Sequence, residues 1–429
     1  MADAALRLKS LFEQLLGTPL PVRIRAWDGS QSGPPGAPTL VLRNRRALRR
    51  LLWKPGELGL ARAWVSGDLD IEGDLYAALD LISGLVWDRG EDARTLAQAL
   101  RDPSVRAAVR GLVRLGGLPL PPAPPPEEVR RVRAHLHTKN TDRRAISHHY
   151  DVGNDFYEIV LGPSMVYSCA YWEESGDLEG AQPDKLELIC RKMGLTPGMS
   201  LLDVGCGWGS LAIHAAREHG VSVVGVTLSQ EQAAYARKRV ADEGLTDRVE
   251  IRVQDYREVE DGPYDAISSV GMAEHVGSER YLEYAQVLHG LLKPGGRLLN
   301  HQIARRPRRD EEAYDIDEFI DAYVFPDGEL APVGTTVTQL ERAGFEVRDV
   351  EAIREHYALT LRRWVANLEG DWNRAARLAG AGRARVWRLY MAASALAFEH
   401  NRIGVNQVLA VRAFAPGDSG MPLRARTWN

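Results

Sequence analysis

The pattern of apolar and polar positions changes character along the chain. Near the N-terminus, ALRLKSLFEQLLG (5–17) repeats apolar residues at helical spacing and ends on a glycine. PVRIRAW and TLVLR alternate like short strands, and RRALRRLLW (45–53) predicts a helix that Pro55 ends. A second helical pattern covers DLYAALDLISGLVW (74–87). These elements predict a small mixed α/β domain, which we assign to residues 1–115.

A proline-rich stretch, GGLPLPPAPPP (116–126), interrupts the pattern. Proline removes backbone donors and restrains the residue before it, so this stretch continues neither a helix nor a sheet. We therefore predict a stiff linker at residues 116–135 and a second domain at 136–429.

Strand and helix patterns alternate in the second domain. The predicted strands are SLLDVGCG, VSVVGVTLS, RVEIRVQDY, YDAISSVGM and GRLLNHQI, and the helices between them include SLAIHAAREHG, QEQAAYARKRVADEG and RYLEYAQVLHGLLKPGG. This order predicts a Rossmann-like α/β fold, a parallel sheet with helices on both faces. In such folds the ligand lies beyond the carboxyl ends of the strands.

Composition narrows the function class. The 429 residues are 45% apolar with a net charge of −4, which is typical of a globular protein and does not favour nucleic acid as a partner. No secretory signal pattern and no apolar run of about 18 residues is present, so we expect a cytoplasmic protein. The three cysteines include no C-x-x-C pair, and we predict neither disulfides nor a metal site.

The glycine-rich turn DVGCGWG (203–209) follows the first strand and opens a helix. Gly205 and Gly207 allow a sharp turn close to a ligand, and Asp203 can accept hydrogen bonds. The spacing is G-x-G-x-G rather than the G-x-G-x-x-G of dinucleotide sites, which favours S-adenosyl-L-methionine over NAD. A plain strand–helix turn is the structural alternative.

The second strand lacks the acid that usually binds ribose in methyltransferases of this fold. Thr227 and Gln232 would take its place as neutral hydrogen-bonding groups. After the third strand, Asp255 and Tyr256 are placed to hold the adenine amine and to cover its ring.

Longer blocks of sequence resemble one family. HHYDVGNDFYEIVLGPSMVYSCAYW, LLDVGCGWGSLAIHAA, VVGVTLSQEQ, QDYRE, SSVGMAEHVG and YVFPDGEL are similar, in this order, to motifs of the cyclopropane-fatty-acyl-phospholipid synthases. The resemblance covers about residues 140–400. PGELGLARAWVSGDLDIEGDL also resembles the small domain of the members that act on phospholipids.

The resemblance implies methyl transfer from S-adenosyl-L-methionine to the cis double bond of an acyl chain, which leaves a carbocation. A bound bicarbonate ion is the implied base. Tyr167, Ser168 and Leu228 join the predicted cofactor residues on this basis. The implied partners are unsaturated phospholipid chains at the inner face of the cell membrane, and no nucleic acid; a homo-oligomer is left open.

The same resemblance implies the residues of the bicarbonate pocket. His301 and Tyr357 would donate to the anion, Glu274 would accept its proton, and backbone N–H groups near Cys169 and Ile303 would add donors. A neutral thiol is expected at Cys169, since a thiolate would attack the methyl donor. Other interpretations remain: a core histidine at 301, a capping contact at 357, and a surface pair at Glu274 and His275.

Two departures bear on the product. Ala273 stands where many relatives have an aromatic residue, and HNRIGVNQVLAVRAFAPGDSGMPLR resembles the actinobacterial branch that makes a 10-methylene chain, the precursor of tuberculostearic acid. We expect that product, with a reductase partner for its reduction; a cyclopropane ring is the alternative. More remote alternatives are a non-catalytic lipid-binding protein, a small-molecule methyltransferase and an NAD-linked oxidoreductase.

Two more stretches are predicted to contact lipid. The helix face formed by Arg45, Arg46, Arg49 and Arg50 is predicted to dock anionic membrane, with a solvated face as the alternative. The resemblance suggests that the stretch 148–150 (HHY) helps to close the site over cofactor and acyl chain.

Overall fold

The computed structural model describes residues 3–86, 102–116, 120–129, 152–173, 176–308, 316–326, 328–424 and 426. The helices in these ranges are α1 (Ala4–Leu16), α2 (Arg45–Trp53), α3 (Glu57–Val65), α4 (Leu75–Val86), α5 (Pro103–Gly116), α6 (Asn154–Leu161), α7 (Leu178–Met193), α8 (Ser210–His219), α9 (Gln230–Asp242), α10 (Tyr281–Leu291), α11 (Glu318–Tyr323), α12 (Val333–Arg342), α13 (Arg354–Gly370), α14 (Trp372–Ala379) and α15 (Ala381–Glu399). The strands are β1 (Arg23–Arg25), β2 (Gln31–Ser32), β3 (Thr39–Leu42), β4 (Leu69–Glu72), β5 (Ser200–Val204), β6 (Ser222–Thr227), β7 (Val249–Val253), β8 (Tyr264–Val270), β9 (Leu292–Arg305), β10 (Glu346–Ala352) and β11 (Ile403–Val411). Short 3₁₀ helices cover Tyr256–Glu258, Ala273–His275 and Ser278–Arg280.

The chain divides into two compact units. The first comprises Met1–Arg131, Asp317–Val324 and Gly380–Leu396, and the second comprises Val132–Ile316, Phe325–Ala379 and Ala397–Asn429. Two internal segments of the predicted second domain therefore belong to the first unit. The domain boundaries at residues 115 and 136 stay a prediction.

The first unit contains a four-stranded sheet in the order β2-β1-β3-β4. The predicted helix α1 ends where expected, because Gly17 adopts a φ of 68° and its N–H bonds back to Glu13. Leu8, Leu42 and Leu48 are fully buried in the core of this unit.

Helix α2 spans the predicted residues but does not hold all four arginines at the surface. Arg45 and Arg46 are exposed, whereas Arg50 is buried and its Nε donates to Asp68 Oδ2 at 3.0 Å. Arg46 also donates to Asp68, through Nε at 3.2 Å. Part of the predicted positive face is therefore neutralised inside the unit, because a buried guanidinium requires a paired acid.

The second unit contains a seven-stranded sheet in the order β10-β11-β9-β8-β5-β6-β7. The five predicted strands form its parallel part, β5 to β9, which confirms the predicted fold class. Strands β10 and β11, which we did not predict, add antiparallel pairs at one edge. A local pattern identifies a strand but not its pairing direction, which in the β9–β11 pair depends on residues 98 to 114 positions apart.

Apolar clusters cover this sheet with helical side chains. One joins Leu201 of β5 to Ile189 of α7 and Ala212 of α8, and another joins Leu202 of β5 to Leu288 of α10. Alternate residues of β5 thus face opposite sides of the sheet. This packing fixes the strand ends at which the predicted ligand residues lie.

Candidate active site

A cavity of about 1240 Å³, including its open mouth, lies at the carboxyl ends of β5, β6, β7 and β8. The residues predicted to hold the cofactor all line this cavity: Tyr167, Ser168, Asp203, Gly205, Gly207, Thr227, Leu228, Gln232, Asp255 and Tyr256. The strands bring together side chains that are up to 90 residues apart in sequence.

The glycine turn forms one wall of the cavity. Gly205 and Gly207 have φ values of 78° and 54°, which favour glycine. A Cβ at Gly207 would meet no other atom within 4 Å, so this backbone is open to a ligand. At Gly209, a Cβ would lie 3.1 Å from Ala236 Cβ, which indicates that this glycine serves helix packing instead.

A buried lysine that the sequence reasoning missed lies beside the turn. Lys185 Nζ donates to Ser168 Oγ at 2.9 Å, and Asp203 Oδ1 accepts from Ser268 Oγ at 2.7 Å. Burial lowers the pKa of Lys185 to about 8 and raises the pKa of Asp203 to about 6. The available signal in the sequence was a lysine at helical spacing from the apolar residues Leu188 and Ile189.

The two neutral side chains predicted to replace the ribose-binding acid lie together beyond the end of β6. Thr227 Oγ1 donates to Gln232 Oε1 at 3.0 Å, so the two side chains form one polar group on the cavity wall. Asp255 is held by Arg257, whose Nε and Nη2 donate to the two carboxylate oxygens at 2.8 and 2.7 Å. Arg257 also lines the cavity and was not predicted.

The five residues predicted for catalysis are not part of this lining. Glu274 lies between two lining residues, Met272 and His275, and Cys169 directly follows Ser168. Glu274 and Cys169 therefore belong to segments that flank the cavity wall.

Glu274 is enclosed rather than part of a surface pair. Its Oε1 accepts from Ile303 N at 2.8 Å, while Oε2 is buried and has no hydrogen-bond partner among the described residues. Burial raises the pKa of Glu274 to about 7, and burial lowers the pKa of its neighbour His275 to about 4.

His301 is held in one tautomer by a chain of hydrogen bonds. Lys192 Nζ donates to Gln407 Oε1 at 2.7 Å, which turns the amide nitrogen of Gln407 toward His301 Nδ1 at 3.3 Å. Nδ1 is therefore the acceptor, and burial keeps the ring neutral by lowering the pKa of His301 well below its ordinary value. The proton lies on Nε2, a buried atom without a partner in the described part of the chain. Sequence reasoning found neither Lys192 nor Gln407, because these residues belong to α7 and β11 and come close to His301 of β9 only in the folded chain.

Cys169 and Tyr357 are both buried. The Cys169 thiol is buried and donates to Ala170 O at 3.2 Å, and burial raises its pKa well above the ordinary value, in agreement with the expected neutral thiol. The Tyr357 ring lies 4.7 Å from Phe398 and 6.0 Å from Trp364, between ring centroids. Trp364 in turn lies 5.3 Å from Tyr167, so aromatic rings connect Tyr357 with the cofactor cavity.

Two further observations concern lipid contact. Among the described residues, no helix has the length and apolar composition needed to cross a membrane. The stretch 148–150 lies outside the described residues.

Comparison with known proteins adds to this geometry. A family model described as mycolic acid cyclopropane synthetase matches residues 137–408. A probable fatty acid methyltransferase of Mycobacterium tuberculosis is 45% identical over 94% of this chain and 94% of its own length. A cyclopropane-fatty-acyl-phospholipid synthase of Escherichia coli is 40% identical over 63% of this chain and 68% of its own. Among solved structures, a mycolic acid cyclopropane synthase complexed with SAH and CTAB is similar, with a TM-score of 0.59, 32% identity, and coverage of 62% of this chain and 97% of that chain.

Proposed function

The chain belongs to the mycolic acid cyclopropane synthetase family, and from this premise we propose that it methylates the cis double bond of an unsaturated acyl chain in a membrane phospholipid. It is a methyltransferase that uses S-adenosyl-L-methionine as the methyl donor. The proposed product is a 10-methylene acyl chain.

The observation that carries the proposal is a pair of buried polar atoms without partners in the described part of the chain. Glu274 Oε2 and His301 Nε2 both belong to this pair. His301 lies two residues before Ile303 on β9, and Ile303 N donates to Glu274 Oε1, so both groups are positioned by the same short stretch of this strand. Buried polar atoms normally have partners, and an unpartnered one is explained by a bound water or ion, by a catalytic role or by strain.

The two atoms complement bicarbonate. His301 Nε2–H is a donor suited to an anionic oxygen, and Glu274 Oε2 is an acceptor suited to a hydroxyl group. We propose that these two groups, with Tyr357 and the backbone around Cys169, hold that ion. The N–H of Ile303, expected to donate to the anion, instead donates to Glu274 Oε1 and so positions that carboxyl group. When bound, bicarbonate supplies the base that removes a proton from the methylated chain.

An alkene acceptor requires a site that excludes water and tolerates positive charge. The rings of Tyr167, Trp364 and Tyr357 present π-faces that stabilise a nearby cation without acting as nucleophiles. A neutral thiol at Cys169 likewise avoids capture of the cation or of the donor methyl group.

The relatives' names favour a methyl-derived branch over a ring. The relative named a fatty acid methyltransferase matches nearly the whole chain, whereas the cyclopropane synthase matches 63% of it. Cyclopropane formation from the same first cation remains the second candidate. Loss of a proton from the new methyl group with ring closure gives the ring, whereas a 1,2-hydride shift followed by loss of a methyl proton gives the methylene chain. A methylene product would require a reductase partner for conversion to a methyl branch.

Peripheral docking to anionic membrane by the first unit is part of the proposal. Arg45 and Arg46 are exposed on α2, and Trp53 at the end of that helix is 48% exposed. Basic and aromatic side chains on one helix suit a lipid headgroup region.

The test is incubation of the full chain with oleoyl phospholipid vesicles and methyl-labelled S-adenosyl-L-methionine, followed by mass spectrometry of the acyl chains. We expect a labelled methylene product. Glu274→Gln should lower turnover by at least about 100-fold and change the cofactor dissociation constant by less than about twofold. The matched control is Glu279→Gln, a change at an exposed residue of the neighbouring 3₁₀ helix, which should keep full turnover.

Other outcomes would contradict parts of the proposal. A labelled ring would identify the chain as a cyclopropane synthase. No labelled lipid despite cofactor binding would support a lipid-binding protein, and methylation of soluble amines alone would support a small-molecule methyltransferase. Equal losses of turnover and cofactor binding in Glu274→Gln would make Glu274 a structural residue.

A further inference from the structure

A cluster of metal-binding side chain types lies between α7 and α8, outside the lining of the cofactor cavity. Cys190 Sγ and one ring nitrogen each of His214 and His219 all lie within 4.8 Å of one another. Glu187 Oε2 lies 3.1 Å from His214 Nε2 and 2.9 Å from His219 Nε2. The proposed reaction uses none of these groups.

We propose that Cys190, His214 and His219, with Glu187 as the fourth ligand, form a zinc site that fastens α7 to α8. Thiolate, imidazole and carboxylate are the usual protein ligands of zinc, in tetrahedral arrangement. The inference does not depend on the proposed reaction.

The distances suit this geometry. With zinc bonds of about 2.0–2.1 Å, neighbouring nitrogen and oxygen ligands of a tetrahedral site lie about 3.3 Å apart. The two Oε2–Nε2 distances are within a few tenths of an ångström of that value. Binding would also draw Cys190 Sγ and the two ring nitrogens, which lie within 4.8 Å of one another, closer together.

The surroundings orient the ligands. Arg191 Nε donates to Glu187 Oε1 at 2.7 Å, which leaves Oε2 for the metal.

Charge and access are also consistent. On binding, zinc replaces the Cys190 thiol proton, which leaves to solvent, so the metal, one thiolate and one carboxylate together carry no net charge. Such a neutral group is tolerated at a position where Cys190 is fully buried. The Glu187 side chain is 30% exposed and the His219 side chain 16% exposed, which provides a path for the ion.

The site would stabilise the wall of the cofactor cavity. Lys185 and Leu186 of α7, and Ser210 and Leu211 of α8, line that cavity. The absence of a C-x-x-C pair led us to predict no metal site, but here the ligands come from two helices, and only their packing brings the side chains together.

The test uses the full chain after chelator treatment, with zinc alone as the probe in competition with a chromophoric chelator. We expect one zinc per chain and a zinc-dependent rise in thermal unfolding temperature. Cobalt(II) in place of zinc should give a sulfur-to-metal charge-transfer band. His219→Gln, whose amide can still donate to Glu187, should weaken zinc binding by at least about tenfold and lose the rise in unfolding temperature.

Two controls make the outcome decisive. His289→Gln removes a histidine of α10, far from the cluster in sequence, and should leave zinc binding unchanged. Cys190→Ser should abolish the cobalt band, whereas Cys206→Ser should keep it. Binding of less than one zinc per chain, or equal affinity in wild type and His219→Gln, would refute the site; if Cys190→Ser fails to fold, the His219→Gln comparison still decides.

Discussion

Glu274 has no charged partner among the described residues that would offset the cost of its burial. Its Oε1 accepts one backbone hydrogen bond, and its other oxygen is enclosed without a partner. A carboxyl group in such a position holds its proton more tightly than in water. The residue thus gains an ability to exchange protons near neutral pH, which suits the role that we propose for it.

Replacing Glu274 by glutamine should remove a pH dependence of folding stability. Burial raises the pKa of Glu274 from 4.5 to about 7 in the folded chain. Between these values the folded state keeps a proton that the unfolded state has lost, so the free energy of unfolding falls as pH rises through this window. Near pH 8, Glu274→Gln should be more stable than wild type by about 1–3 kcal/mol, and near pH 4 the difference should vanish.

Denaturant unfolding of the wild type and of Glu274→Gln at both pH values measures this difference in the free energy of unfolding. The contributions of the other titrating groups are the same in both proteins and cancel. A difference that is the same at both pH values would show that the carboxyl group is not desolvated in the folded chain.

The strand–turn–helix element from β5 to α8 builds the cofactor wall. Its glycines were recognised in the sequence, and their backbone angles agree with the predicted turn. The structure separates their roles, since Gly207 opens to the cavity while Gly209 packs against α9. The sequence motif alone could not make that distinction, because it depends on which atoms surround each glycine in the folded chain.

Gly207→Ala should therefore weaken cofactor binding more than it weakens folding. A side chain at φ 54° costs about 1–2 kcal/mol of backbone strain, and its methyl group would occupy the open space at the cavity. We expect the dissociation constant for S-adenosyl-L-methionine to rise at least about tenfold in calorimetry.

Gly244→Ala is the matched control. Gly244 has a φ of 68°, and a Cβ there also meets no atom within 4 Å, but the residue lies after α9 and outside the cavity lining. It should show a similar loss of stability with unchanged cofactor affinity. Equal affinities in both variants would mean that Gly207 does not approach the cofactor.

At the scale of the whole molecule, the net charge of −4 hides an uneven distribution. The first unit carries exposed Arg45 and Arg46, although Arg46 forms an ion pair with Asp68, and Arg50 is buried against the same carboxylate. A membrane-facing role therefore depends on fewer arginines than the sequence suggested.

Reversing the charge of Arg45 and Arg46 to glutamate should reduce binding to anionic vesicles at low salt by at least about tenfold, because each basic side chain near such a surface contributes about 1 kcal/mol. Vesicle sedimentation measures the fraction of each variant that is bound. The control variant Arg342→Glu with Arg374→Glu makes the same change in net charge on exposed residues of the second unit. Equal binding by both variants would rule out docking through α2.

The sequence by itself determined the parallel α/β part of the fold, the extents of α1 and α2, and ten residues that line one cavity. These features depend on local periodicity and on strand ends, which meet at one edge of any parallel sheet. The resemblance also supplied Glu274 and His301 as candidates, but not the contacts that define their state.

Only the tertiary structure decided those contacts. The antiparallel pairing of β11 places Gln407 beside His301. Helix α7 places Lys185 at the cavity wall and Cys190 next to the two histidines of α8. An ion pair with Asp68 holds Arg50 inside the first unit. Each is a contact between residues distant in sequence, and its outcome depends on burial. A buried polar group must find a partner wherever the fold brings one near, and no local pattern records where that is.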